Sequence, residues 1–154
     1  MPKYENIFKK AADLYKVDWK LIAALGYQES HWKPDARSPT GVKGLMMLTI
    51  PTAKRLGVTD RFDARQNIFA AASYIKTLKA TIPKKIKEPD RTLLALASYN
   101  VGYGHDEDAR ILALKLGLNP NFWLSKDIDD YSLLRHFIKG DLKPFKPIEI
   151  EDQR

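Results

Sequence analysis

Trp19-Lys20-Leu21-Ile22-Ala23-Ala24-Leu25-Gly26-Tyr27-Gln28-Glu29-Ser30 is the stretch that decides how this chain folds. Leu21 through Leu25 make it apolar nearly all round, which predicts a central helix, and Asp18 stands where an aspartate caps the free N–H groups of a first turn. Ile22, Leu25, Gly26 and Glu29 follow the i, i+3, i+4, i+7 spacing of one helix face, so the inward stripe ends in a carboxylic acid. An acid on that stripe is costly unless it has a job, which makes Glu29 the first candidate for chemistry. The competing interpretation is a helix-end acid turned to solvent, the usual habit of glutamates.

Upstream, Ile7, Phe8, Ala11, Leu14 and Tyr15 recur at helical spacing and predict an amphipathic first helix from Tyr4 to Tyr15. Downstream, Pro34, Pro39, Gly41 and Gly44 break regular structure, and residues 33–38 read as a loop folding back over the helix end. Thr49 and Pro51 mark a helix start and Gly57 a stop. Asp63 caps a helix carrying Ile68, Ala71, Ala72, Ile75 and Leu78 until Pro83, and Asp90 caps another with Leu93, Leu94, Leu96 and Ala97, ending near Gly102. Residues 106–116 read as helical with Gly117 as the stop, Asn119-Pro120 as a turn, and residues 128–138 as a last helix. Only Val42 to Leu48 could be extended, so the fold class is all-α with at most a minor β-hairpin between Gly41 and Thr49. The domain plan is a single domain over 1–140 and an irregular tail over 141–154.

The 154 residues suffice for one core without a metal or disulfide staple, and the absence of cysteine excludes a thiolate metal site and a thiol nucleophile. His31, His105 and His136 lack metal-ligand spacing, so no metal and no cofactor are expected. Twenty-six lysines and arginines against 19 acids give a formal charge of +7, which favours an anionic partner. The densest basic run, Lys84-Lys85-Ile86-Lys87, sits between prolines and reads as a solvated loop, and no nucleic-acid motif accompanies it. No apolar run of signal-peptide or transmembrane length occurs, so the chain as given reads as a soluble domain.

Glu29 set against apolar neighbours would have its charged form disfavoured and so hold a proton near neutral pH, which suits protonation of a glycosidic leaving oxygen. Ser30 and Ser38 add hydroxyls, His31 and Trp32 an amphipathic wall, with Trp32 a candidate for stacking on a sugar, and the glycines allow close backbone approach. Asp35, the nearest other acid, sits after Pro34 where a turn-forming aspartate is common. Without a clear second carboxylate, attack by a group of the substrate itself is the economical mechanism.

Glu29-Ser30, then Ser38-Pro39-Thr40-Gly41-Val42-Lys43-Gly44-Leu45-Met46, then Ser98-Tyr99-Asn100-Val101-Gly102 carry a resemblance. In order and in gaps they resemble the Glu-Ser, Gly-Leu-Met-Gln and Ala-Tyr-Asn motifs of the lytic transglycosylases with a soluble-lytic-transglycosylase (SLT, goose-type-lysozyme-like) domain. The likeness runs from about Tyr4 to about Trp123. A membrane-bound branch of the family also resembles Tyr27-Gln28-Glu29-Ser30-His31-Trp32, Gly44-Leu45-Met46-Met47-Leu48-Thr49 and Glu88-Pro89-Asp90-Arg91.

The resemblance implies a lysozyme-like helical domain that cleaves peptidoglycan between N-acetylmuramic acid and N-acetylglucosamine and leaves 1,6-anhydromuramoyl ends. It makes Glu29 the single catalytic acid and base, Ser38 a contact to the substrate N-acetyl group, Tyr99 the residue that orients Glu29, and Asn100 a residue that shapes the pocket. Ser30 would tie down the helix end, and Met46 and Met47 would be core or cleft wall. Met47 stands where the family usually has glutamine, so an amide contact to sugar is absent. The family's Tyr-Ala-Arg-Gly-like and Glu-rich C-terminal signatures are not found between Tyr131 and Arg154. Peptidoglycan strands are the expected partner, with no nucleic acid, no membrane insertion of this chain and a monomeric state, at the periplasmic side of a bacterial envelope. The rival functions are a muramidase using water on the same fold and a non-catalytic peptidoglycan-binding or assembly module.

Overall fold

The computed structural model describes residues 2–101. Two compact units divide the chain, Met1–Pro83 and Lys84–Arg154. The expected helices over 106–116 and 128–138, the turn at Asn119, His105, His136, Trp123 and the tail after Gly140 lie outside the described residues.

The first unit contains α1 (Pro2–Tyr15), α2 (Trp19–Ser30), α3 (Ile50–Arg55) and α4 (Ala64–Thr81). Three of these helices begin where a short polar side chain can satisfy a free N–H. Asp18 accepts from Lys20 N at 2.9 Å, Thr49 from Thr52 N at 3.2 Å, and Asp63 from Gln66 N at 2.7 Å. The α1 helix packs on α4 and α2, and α2 on α4. Phe8, Ala11, Ile22, Ile68, Ala71 and Ile75 meet in this core at 1% exposure or less. Each large aliphatic or aromatic side chain so buried contributes about 1.5–3 kcal/mol by leaving water.

Two expectations about these helices need correction. Leu14, expected on the buried face of α1, is 59% exposed. The face that packs runs through Tyr4, Phe8, Ala11 and Ala12, because α4 and α2 cover that side of α1. The second correction concerns α2, which is not surrounded by protein: Ala24 and Tyr27 are exposed, and the buried side is Ile22, Ala23, Gly26 and Ser30. Alanine and tyrosine tolerate solvent, so an apolar count overstates how much of such a helix must be covered.

Between α2 and α3 the chain makes isolated antiparallel bridges, Arg37 to Lys43 and Lys43 to Leu48, and no strand is formed among the described residues. The hairpin expected from Gly41 to Thr49 is thus reduced to bridges that pinch a loop. Its chain reversal at Gly44 has φ +90°, and a Cβ there would run into the Arg61 carbonyl and the Asn67 amide, so only glycine fits.

In the second unit, α5 (Asp90–Val101) follows a loop in which Lys84, Lys85 and Lys87 are exposed and Ile86 is buried. Asp90 is the first helical residue here, not the cap expected. The carboxylate of Glu88 takes that part, accepting from Thr92 N at 3.2 Å and from the Thr92 hydroxyl at 2.6 Å. Leu94, Ala95 and Ser98 form the buried side of α5.

Candidate functional site

The site is built on the C-terminal end of α2. Gly26 is buried there, and a Cβ on it would lie 3.0 Å from Met46 Sδ, 3.1 Å from Leu45 Cδ2 and 3.4 Å from Phe8 Cζ. The missing side chain therefore lets the 44–47 loop seat directly on the helix. The last turn is closed by His31 N–H on the Tyr27 carbonyl at 2.8 Å and Trp32 N–H on the Gly26 carbonyl at 3.4 Å. His31 and Trp32 both take left-handed backbone, at φ 53° and 59°, a conformation that costs a side-chain-bearing residue energy. Aromatic packing offsets it. Tyr27 packs edge-on against His31 and at a tilt against Trp32, with ring centroids 4.7 and 4.8 Å apart, and Trp32 Nε1–H donates to the Ala23 carbonyl at 2.8 Å.

Ser30 is the clasp between helix and loop. Its hydroxyl donates to the Leu45 carbonyl at 2.7 Å, with the Gly26 carbonyl at 3.3 Å as a weaker alternative, and it accepts from Lys33 N at 3.1 Å. The loop is held from its other side by Asn67, which is fully buried: its Oδ1 accepts from Met46 N at 3.2 Å while its Nδ2 donates to the carbonyls of Arg61 and Asp63 at 2.7 and 3.2 Å. Arg61 Nη1 closes the outer edge by donating to the carbonyls of Gly41 and Leu48 at 2.8 and 3.0 Å.

Glu29 directly precedes Ser30 in the last turn of α2 and is half-buried. Burial disfavours its charged form and raises its carboxyl from an ordinary 4.5 to about 7. At neutral pH such a group is about half protonated, so it can both give and take a proton, the condition for a general acid that must then act as a base.

The other candidate residues fall in different surroundings. Ser38 is half-buried, its hydroxyl accepting from Val42 N at 3.1 Å and paired with Thr40 Oγ1 at 2.9 Å. Met46 is fully buried against the Gly26 position and is core, while Met47 is half-buried with φ 49°. Asp35, the second acid considered, is exposed. Tyr99 is half-buried and Asn100 exposed in the last turn of α5, within the second unit. Among the described residues no group of three histidine or acidic side chains could hold a metal ion, and no helix is long and apolar enough to cross a membrane.

Asn67 and Arg61 were not singled out from the sequence. Asn67 did carry a signal, because it lies on the same stripe as Ala71, Ile75 and Leu78, and an amide on a core stripe needs buried partners. Arg61 carried none, since its two acceptors are loop carbonyls 20 and 13 residues away.

Residues 6–114 match the family model described as the transglycosylase SLT domain. The chain is 56% identical over 124 residues to the membrane-bound lytic murein transglycosylase F of Hahella chejuensis, covering 80% of this chain and 24% of that protein. It is 57% identical over 123 residues to the protein of that name from Saccharophagus degradans, covering 80% and 25%. The Pseudomonas syringae pv. tomato protein of that name is 59% identical over 124 residues, again covering 80% and 25%. The chain thus matches about a quarter of the length of these relatives.

Proposed function

The chain belongs to the transglycosylase SLT domain family, and from that premise we propose that it is a peptidoglycan lytic transglycosylase with Glu29 as its single general acid and base. The observation that carries the proposal is the Glu29 carboxyl, raised by burial to about 7 at the end of a helix whose last turn is clasped to the 44–47 loop. A carboxyl so poised is protonated often enough to donate and ionised often enough to accept.

In the reaction proposed, Glu29 gives its proton to the oxygen linking C1 of N-acetylmuramic acid to N-acetylglucosamine, and the C1–O bond breaks. The muramic 6-hydroxyl oxygen then closes onto C1, and its proton passes to the Glu29 carboxylate. The products are a 1,6-anhydromuramoyl end and a free N-acetylglucosamine hydroxyl, with no water consumed and the acid regenerated. Intramolecular closure needs no second carboxylate to activate water, and the exposed position of Asp35 is in keeping with that.

Ser38 is assigned to the N-acetyl group of the substrate. A hydroxyl has one donor and two acceptor sites, so the Val42 N–H on Ser38 Oγ leaves capacity for a ligand. The family motif assigns Tyr99 to orientation of the carboxylate and Asn100 to the shape of the pocket, with residues 1–140 acting as one catalytic domain. The setting is the periplasmic side of a bacterial envelope, and the formal charge of +7 favours capture of a polymer rich in carboxylates.

Clearing of purified cell walls tests the assignment. Glu29→Gln keeps the size and polarity of the side chain but cannot carry the proton, so it should abolish clearing while the protein still sediments with walls. Residual clearing by Glu29→Gln at a tenth of the wild-type rate or more would remove Glu29 from its role. Tyr99→Phe should lower kcat and leave KM unchanged, since it alters orientation and not binding.

A further inference from the structure

On the outer side of the 43–62 segment lies a recess of about 290 Å³ whose walls include neither Glu29, Ser30 nor Ser38. We propose that this recess is a second binding site, one that takes a short acidic peptide, and that it anchors the peptide stems of the glycan strand on which Glu29 acts. The stem assignment rests on the peptidoglycan function proposed above, whereas the acidic-peptide chemistry is written in the walls.

Three cations line the recess, Lys43, Lys54 and Arg61, against one acid, Asp60. Among the described residues, no carboxylate oxygen lies within ion-pair distance of any of these three cations. Arg61 is held in place by its two carbonyl contacts through Nη1, which leaves Nη2 and Nε of a pre-positioned guanidinium for a carboxylate fork. Lys43 has its ammonium 5.6 Å from the Phe62 ring centre, and the Arg37 guanidinium lies 4.8 Å from the same ring, so the positive potential is concentrated over an aromatic surface.

The remaining walls select a peptide over a bare anion. Ile50 is 64% exposed and with Phe62 offers apolar surface for an aliphatic side chain. Asp60 accepts from Phe62 N through Oδ1 at 2.8 Å, and its other oxygen can take an amide N–H or ammonium of a ligand. The volume sits at the lower bound of small-ligand sites, roughly 300 Å³, and suits a group of dipeptide size.

The test is fluorescence anisotropy of fluorescein-labelled Ala-D-Glu-Ala, with both carboxylates free, against the 154-residue chain and its variants. Lys43→Gln and Lys54→Gln should each weaken binding about threefold and the pair about tenfold, the range of partly exposed charge contacts. Binding should also weaken with added salt. Amidation of both peptide carboxylates should weaken binding about as much as the double substitution. Lys76→Gln, an exposed charge removed elsewhere on α4, should bind as wild type. Failure of wild type to bind, or affinities within twofold between wild type and the double variant or between acid and amide peptides, overturns the site. Inorganic phosphate competing as well as unlabelled peptide would also overturn it. The parent function is tested apart from this by anhydro-end formation from peptide-free glycan strands. No anhydro ends there, with peptide binding intact, would sink the catalytic proposal and the stem assignment but not the acidic-peptide site.

Discussion

Replacing Glu29 with glutamine should stabilise the protein at alkaline pH and do little at acid pH. The carboxyl moves from an ordinary 4.5 in the unfolded chain to about 7 in the fold. Between those values the native state holds more protons than the unfolded state, so stability falls as pH rises from 4.5 through 7 and stays at its lower level above that window. At about 1.4 kcal/mol per pH unit the full shift corresponds to roughly 3 kcal/mol, an upper figure because the side chain keeps part of its contact with water. Glutamine mimics the protonated acid and carries no such dependence. Chemical denaturation of wild type and Glu29→Gln at pH 4.5 and pH 8 isolates the effect, because every other titrating group is common to both proteins and cancels in the difference. The expected result is near equality at pH 4.5 and a variant more stable at pH 8 by up to roughly 3 kcal/mol, or at most about 6–12 °C in Tm for a chain of this size. An equal difference at both pH values would show that Glu29 ionises as it does in water, and the physical basis of its proposed acid role would fall with it.

Three further substitutions test the frame that holds Glu29. Asn67→Ala removes one buried acceptor and two donations at once, leaving Met46 N–H and the Arg61 carbonyl without those partners; it should cost about 2–4 kcal/mol in urea denaturation. Gly44→Ala places a methyl group against the Arg61 carbonyl at φ +90° and should destabilise by at least about 2 kcal/mol, seen as a lower Tm. Ser30→Ala frees the Leu45 carbonyl from its clasp and should cost about 1–3 kcal/mol, with a larger proportional loss in kcat than Lys76→Gln shows.

Helix starts at Asp18, Thr49 and Asp63 were readable because a cap is a local event: the side chain and the N–H it satisfies lie within three residues. The start of α5 was misassigned for the same reason, since Glu88 can reach Thr92 across a turn in a way that an Asp at position 90 mimics on paper. The partial burial of Glu29 is in keeping with its position on the periodic pattern, which depends only on the helix carrying it. What could not be read was who covers whom. Leu14 and Phe8 look equivalent on the α1 pattern, and only the packing of α4 and α2 tells them apart. Gly26 could be marked as permissive, yet its reason is a sulfur atom 20 residues downstream. Asn67 belongs to this group too, because its three backbone partners come together only after the 44–46 loop has folded over α2 and α4.

In the reaction proposed, Glu29 protonates the glycosidic oxygen and the muramic 6-hydroxyl, not water, closes on C1. Digestion of purified peptidoglycan in water enriched in oxygen-18, followed by mass spectrometry of the muropeptides, tests it most directly. The expected products are 1,6-anhydromuramoyl ends free of the heavy isotope, formed by wild type and absent with Glu29→Gln. Reducing muramic ends carrying oxygen-18 would mean that water is the nucleophile and that the chain is a muramidase.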